Sequence, residues 1–279
     1  MIQRRLTILI LLAMVAFAGN SLLCRLALQD TDIDAASFTS LRLVSGALTL
    51  WLMVRARRGA RTPGGNWPSA FALFAYAAGF SFAYTQLSAA TGALLLFGAV
   101  QATMIGRGFW AGERFSKLQL LGLVLALAGL MTLLFPGISA PPLLGSLLML
   151  SAGVAWGVYS LRGRHEGNPI ETTAGNFLRA APIAMALTAV TFNRASLDSA
   201  GFWYAIASGA LASAIGYVVW YSALPAMKAT QAATVQLSVP VIAALGGILI
   251  LGESITVRLC LASVAILGGI ALVIVERRL

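Results

Sequence analysis

The sequence predicts an all-α membrane protein, with ten transmembrane helices arranged as two inverted five-helix repeats. Three observations predict it. The 279 residues are 59% hydrophobic and only 10% charged, whereas a soluble domain carries roughly 25% charged residues. The apolar residues fall into ten runs, each close to the roughly 20 residues that a spanning helix needs. The same residues also recur at a spacing near 140 along the chain.

The ten runs lie at about 6–28, 34–54, 69–87, 90–111, 117–135, 143–162, 171–191, 200–223, 229–251 and 255–275. Connections are short and rich in turn residues, as in ARRGARTPGGNW, FPGISAPP and GRHEGNP, which leaves no room for a soluble domain. The third and fourth runs are separated only by TQLSAATG, where polarity barely rises. The first run follows Arg4 and Arg5 and contains Ala16-Phe17-Ala18, the layout of a cleavable signal peptide. Yet it continues past that site to Leu28, and Phe17…Ser21…Arg25 recurs as Trp156…Ser160…Arg164 in the sixth run. A retained helix is therefore expected, which lets Phe17 and Asn20 belong to a site.

Lysine and arginine set the orientation. Of the 19, fourteen fall on the side of the N-terminus, among them Arg4, Arg5, Arg55, Arg107, Lys117, Arg162 and Lys228. Arg25, Arg194 and Arg258 fall on the other side, and Arg42 and Arg179 lie inside spans. Both termini are expected in the cytoplasm. The net charge of +10 then reads as an insertion signal, and no nucleic-acid partner is expected. Cys24 and Cys260 sit in or beside apolar runs and imply neither a disulfide framework nor a metal site. No metal or cofactor is expected.

The repeat is visible in WAGERFSKLQLLGLVLALAGL, from Trp110, and ILGESITVRLCLASVAILGGI, from Ile250. Gly112-Glu113 aligns with Gly252-Glu253, Ser116 with Thr256 and Gly129 with Gly269, all at an offset of 140. Leu41-Arg42 aligns with Leu178-Arg179 at 137. The halves divide at 1–137 and 138–279. Five spans per half is an odd number, so the halves insert with opposite orientation. Two similar halves in opposite orientations have two nearly equivalent packings, one open to each side, which is the architecture of carriers.

The Gly-Glu pairs after the fourth and ninth runs, together with Gln119-Leu-Leu-Gly122…Gly129 in the fifth, resemble the EamA family of the drug/metabolite transporter superfamily. The resemblance covers essentially the whole chain and is nearest to the YddG-type exporters of amino acids, aromatic ones included. It implies a bacterial inner-membrane protein with a central cavity lined mainly by spans one, three, four, six, eight and nine, the fifth and tenth being peripheral. One departure stands out. FAGN occupies the position where the family shows a Trp-Gly pair, while the second half keeps Trp156-Gly157.

Candidate site residues follow from the cost of polar groups in hydrocarbon. Asn20, Gln101 and Gln236 lie at mid-depth, either to hydrogen-bond a solute or to join neighbouring helices. Tyr76 and Phe80 recur at i, i+4 and share a helix face. With Phe17, Trp156, Tyr159 and Tyr217 they line the expected cavity, where ring faces suit amphipathic solutes; lipid-facing bulk is the alternative. Trp203, Tyr204, Trp220 and Tyr221, near span ends, read as an interfacial belt. Arg42 and Arg179 either hold a substrate carboxylate or brace helices through backbone carbonyls, and their spans favour bracing. Glu113 and Glu253 read as starts of the fifth and tenth helices, where a carboxylate meets the positive end of the dipole. Pro240 reads as a kink that frees the carbonyl of Gln236.

No acidic residue lies at mid-membrane, and the single histidine, His165, falls in a basic loop. Arginine does not deprotonate, so concentration-driven rather than proton-coupled movement is expected. The favoured expectation is a monomeric carrier of small organic solutes, amino acids first, embedded in the lipid bilayer. An exporter of drugs or other metabolites is the alternative, weakened for cations by the absence of a mid-membrane carboxylate. An intramembrane enzyme is more distant, with no HExxH, no paired carboxylates and no Ser/His arrangement. An ion channel fits a two-fold repeat poorly.

Overall fold

A computed structural model describes residues 2–56, 64–110, 116–135, 140–163, 168–227 and 235–276. Their regular structure is helical throughout, and a helix stands at each of the ten apolar runs. These are α1 (Ile2–Asp30), α2 (Ala35–Ala56), α3 (Trp67–Tyr84), α4 (Ala89–Trp110) and α5 (Lys117–Leu134). The second half holds α6 (Leu143–Gly163), α7 (Pro169–Val190), α8 (Ser199–Ala226), α9 (Ser238–Leu251) and α10 (Val257–Glu276). Six of them, α1, α2, α4, α5, α6 and α8, are long and apolar enough to cross a membrane, while α9 and α10 hold shorter apolar stretches. In α3 and α7, aromatic, amide and charged groups such as Tyr76, Asn176 and Arg179 take places that aliphatic side chains hold elsewhere.

The helices begin where short polar side chains satisfy the first free N–H groups. Asp34 accepts from Ala36 and Ser37, and Asn66 from Ser69. Asn168 accepts from Ile170, and Asp198 from Gly201. Ser116 forms a reciprocal capping box with Gln119 at α5. Its repeat partner Thr256 accepts from Leu259 at α10. Pro240 lies in the first turn of α9, after a turn at Leu237. Val235 and Gln236 before that turn are helical too, so the helical path breaks within one turn of Pro240.

The packing repeats when the halves are exchanged. α5 lies against α10 and α2 against α7, each helix on its own counterpart. α3 packs on α6 as α1 packs on α8, and α4 on α6 as α1 on α9. At the α5–α10 contact the aligned glycines do the same work in each half. A Cβ on Gly129 would lie 2.7 Å from the Ala265 methyl, and one on Gly269 would fall on the Gly122 carbonyl oxygen. Large apolar side chains are left outside, including Leu11 and Val15 of α1, Val124 and Met131 of α5, and Leu249 of α9. Such a surface suits hydrocarbon, where helices satisfy their own backbone polar groups.

α8 is a single helical segment with an unusual centre. Ser199–Ala207 and Gly216–Ala223 are α-helical, and the stretch between them, Ser208–Ile215, is π-helical. The wider turn re-aims side chains at that level, a feature that recurs at functional sites.

Candidate functional site

Six aromatic rings from four helices meet in the middle of the bundle. Trp156 of α6 is central, with ring centroids 5.7 Å from Phe17, 5.0 Å from Tyr76, 5.6 Å from Tyr159 and 4.7 Å from Tyr217. Phe80 joins through Tyr76 at 5.4 Å. Most of these pairs are tilted or edge-to-face, the arrangements that ring quadrupoles favour. The cluster is closed to solvent in this conformation, its least covered member, Phe17, being 6% exposed. Trp220 and Tyr221 are also buried, on Phe17 at 5.8 Å and on Tyr159 at 6.1 Å. Their expected place in an interfacial belt is thus corrected. Trp203, 66% exposed, does sit on the outside.

Polar side chains thread the rings. The Asn20 amide donates to the Tyr76 hydroxyl at 3.1 Å, and Ser208 donates to the Asn20 carbonyl oxygen at 2.6 Å. Arg42 of α2 is 1% exposed. It donates from Nε to Ser213 at 3.0 Å and from Nη2 to Tyr76 at 3.0 Å and Tyr217 at 3.3 Å. Its guanidinium carbon lies 5.1 Å from the Tyr76 ring centroid and 5.0 Å from that of Phe80, within cation–π range. The expected bracing role of Arg42 through backbone carbonyls is therefore corrected, because these partners are hydroxyls and rings. Arg179 differs. Its Nη1 donates to the carbonyls of Gly64 and Gly175, both at 2.8 Å.

The cluster joins seven residues singled out in the sequence with Arg42. Gln101 of α4 and Gln236, just before α9, are fully buried on helices that border the cluster's helices. Ser208, Ser213 and Asn176 are additions that the sequence reading missed. Asn176 donates to the Tyr159 hydroxyl at 3.4 Å and accepts from the Asn66 N–H at 3.0 Å. Asn176 carries the same signal as Asn20, an amide inside a span. The two serines carried none, because only the π-helical turn of α8 aims them inward.

Polar contacts close both ends of the cluster. At one end Glu253 accepts from the Ala89 N–H on both carboxylate oxygens, at 3.0 and 2.9 Å, and pairs with Arg25 at 3.3 Å. Arg25 donates in turn to the Tyr84 carbonyl at 2.9 Å. Glu253 thus sits at the start of α4, not of α10 as expected. Gly252, at φ +62° in the left-handed region, turns the chain so that the carboxylate points across the bundle. The helix-start role assigned to the glutamates belongs to Ser116 and Thr256, and Glu113 lies outside the described residues. At the other end Arg162 of α6 donates to Ser69 and Asn66 at the start of α3, both at 3.0 Å.

A bundle whose two halves each match one family unit decides the identity. The EamA-like transporter family matches residues 5–135 and again residues 143–275. The chain belongs to the EamA-like transporter family. A Pseudomonas aeruginosa protein of uncharacterized function is 58% identical over 99% of this chain and 96% of its own length. YoaV of Bacillus subtilis, named an uncharacterized transporter, is 25% identical over 86% of this chain and 87% of its own. An uncharacterized transporter of Archaeoglobus fulgidus is 27% identical over 88% and 89%. A solved crystal structure shares the fold, with a TM-score of 0.70 at 19% identity over 98% of this chain and 97% of that one. Family membership makes the chain a multi-pass membrane transporter and points away from an enzyme. It gives the aromatic cluster a context, because in this family a small-molecule substrate crosses the bilayer.

Proposed function

We propose that this EamA-family transporter exports small organic solutes, amino acids and aromatic ones among them, across a bacterial inner membrane by alternating access. The observation that carries the reading is the ring cluster around Asn20 and Arg42, placed between polar contacts at both ends. Its walls come from α1 and α3 of the first repeat and from α6 and α8 of the second, so a change in the packing of the halves would open it on one side at a time. In the full reading all ten helices span, the repeats are inverted and both termini face the cytoplasm. The Arg162 contacts then close the cytoplasmic end and the Arg25–Glu253 contacts the outer one. The chain works as a monomer. Its nine Asp and Glu residues lie at helix ends or in connections, so no carboxylate stands ready to relay protons. Transport is then driven by the solute gradient alone.

The test uses proteoliposomes holding only this protein and loaded with an amino-acid mixture, with and without an imposed pH gradient. Selective efflux of aromatic and large apolar amino acids without the gradient is the expected result. Efflux only with the gradient would overturn the uncoupled mechanism, and no amino-acid efflux would transfer the reading to drugs or other metabolites.

A further inference from the structure

The Arg42 guanidinium has five N–H donors, and three are accounted for. Nε–H goes to Ser213, and the two on Nη2 go to Tyr76 and Tyr217. Nη1 is buried with no hydrogen-bond partner. All the acceptors used are neutral hydroxyls. Among the described residues the one ion pair is Arg25–Glu253, so none of their carboxylates pairs with Arg42. The described acidic residues, at 30, 32, 34, 171, 198, 253 and 276, stand at helix ends or in connections. A buried positive charge without a counter-ion is costly, and the faces of Tyr76 and Phe80 offset only part of that cost. The two unused N–H groups lie on one nitrogen, inside a ring-lined and water-excluded site.

We propose that Nη1 of Arg42 receives a carboxylate of the solute, so that the substrate class is organic anions and zwitterions carrying an apolar, preferably aromatic, body. Nη1 matches a carboxylate in charge and offers it a charge-assisted N–H···O bond. The same fixed positive charge repels lipophilic cations, so simple amines are excluded by charge and not by size. Trp156 and Phe17 would then pack the body of the solute while Arg42 holds its charged end. This deepens the transporter reading and rests on it in one respect, that the cluster is the solute site.

The test measures binding to the full chain in lipid nanodiscs with three probes that share a phenylethyl body: L-phenylalanine, 3-phenylpropanoate and 2-phenylethylamine. The expected result is that both carboxylates bind and the amine binds roughly tenfold or more weakly. This comparison uses the native chain and does not depend on any variant folding. Arg42→Gln is expected to weaken both carboxylates by roughly tenfold to a hundredfold, and Arg42→Lys, which keeps the charge but not the planar guanidinium, by less. The proposal is overturned if the amine binds as tightly as the acids, if neither carboxylate binds, or if Arg42→Gln keeps their affinity within about twofold. Amino-acid flux measured in parallel separates the two readings. Arg42-dependent binding of 3-phenylpropanoate without amino-acid flux sinks the amino-acid assignment and leaves this one standing. Phenylalanine efflux that survives Arg42→Gln unchanged does the reverse.

Discussion

Arg25 and Glu253 face each other at 3.3 Å, and together they close both helix ends at the α3–α4 turn. Arg25 meets the last carbonyl of α3, at Tyr84, and Glu253 meets the first N–H of α4, at Ala89. Each charge thus complements the dipole end it touches. Both side chains are largely covered, so the pair is less screened than a surface one. Glu253→Ala should cost about 1–3 kcal/mol, read as a lower unfolding temperature in detergent. It should also loosen the end of α1. In a Cys260→Ser background, Cys24, buried beside Arg25, is expected to become reactive to maleimide only when Glu253 is replaced. A Cys24 that stays protected in the variant would show that this contact does not hold the end closed.

The two aligned arginines show how far the sequence was legible. The repeat placed Arg42 and Arg179 in register, so one role was inferred for both. The repeat aligns backbones, but the groups around each arginine differ. Arg42 meets Tyr76, Ser213 and Tyr217. At the arginines' own offset of 137, Tyr76 and Ser213 match each other and Tyr217 matches Phe80. The register alone thus puts hydroxyls near both arginines, yet Arg179 takes the carbonyls of Gly64 and Gly175. The helices and the aromatic faces were readable because they follow from local periodicity. The inward aim of Ser208 and Ser213 was not, because it depends on a π-helical turn that has no compositional signal. The reach of Glu253 to α4 was hidden for a similar reason, since Gly252 redirects the chain by a single backbone angle.

The glycine pair at the α5–α10 contact makes a graded prediction. At Gly269 an added Cβ meets backbone, the Gly122 carbonyl, whereas at Gly129 the nearest atom is the Ala265 side chain. The Ala265 methyl moves only with its backbone, so both sites require a helix shift, and the contact at Gly269 is the closer one. Gly269→Ala should therefore destabilise more than Gly129→Ala, with overpacking costs of about 1–3 kcal/mol. Thermal unfolding of the two variants side by side checks the order. Equal effects would mean that α5 and α10 shift freely against each other.

Asp34 lies outside the spans and joins two connections. It caps α2 and also accepts from the Ser196 N–H at 3.0 Å. Burial pushes its carboxyl up, but the hydrogen bonds from Ser37, Ser196 and Ala36 outweigh that and hold it below the ordinary 3.8. A depressed folded-state value means that the stabilisation is present above the ordinary carboxylate range and is lost as pH falls through the folded value. Unfolding temperature should therefore drop more steeply below pH about 4 in the native chain than in Asp34→Asn. Asp34→Ala should cost about 1 kcal/mol at neutral pH through the lost cap. Parallel slopes for the native chain and Asp34→Asn would show that Asp34 does not report on folding.

The Tyr76 hydroxyl accepts from Asn20 at 3.1 Å and from Arg42 at 3.0 Å, while the Tyr217 hydroxyl accepts from Arg42 at 3.3 Å. Removing the first strands two buried N–H groups, one of Asn20 and one of Arg42 Nη2, and removing the second strands one, the other N–H of Nη2. Tyr76→Phe should therefore cost about 1–3 kcal/mol and more than Tyr217→Phe, although both delete one oxygen from a packed ring. Asn20→Ala removes one of the same two donors, so the Asn20→Ala/Tyr76→Phe double variant should be less destabilised than the sum of the single ones. The same variants separate stability from transport. If the network only supports packing, phenylalanine efflux per folded molecule is unchanged in Tyr76→Phe. If it orients Arg42 toward a bound solute, efflux at low solute concentration falls while efflux at saturation changes less.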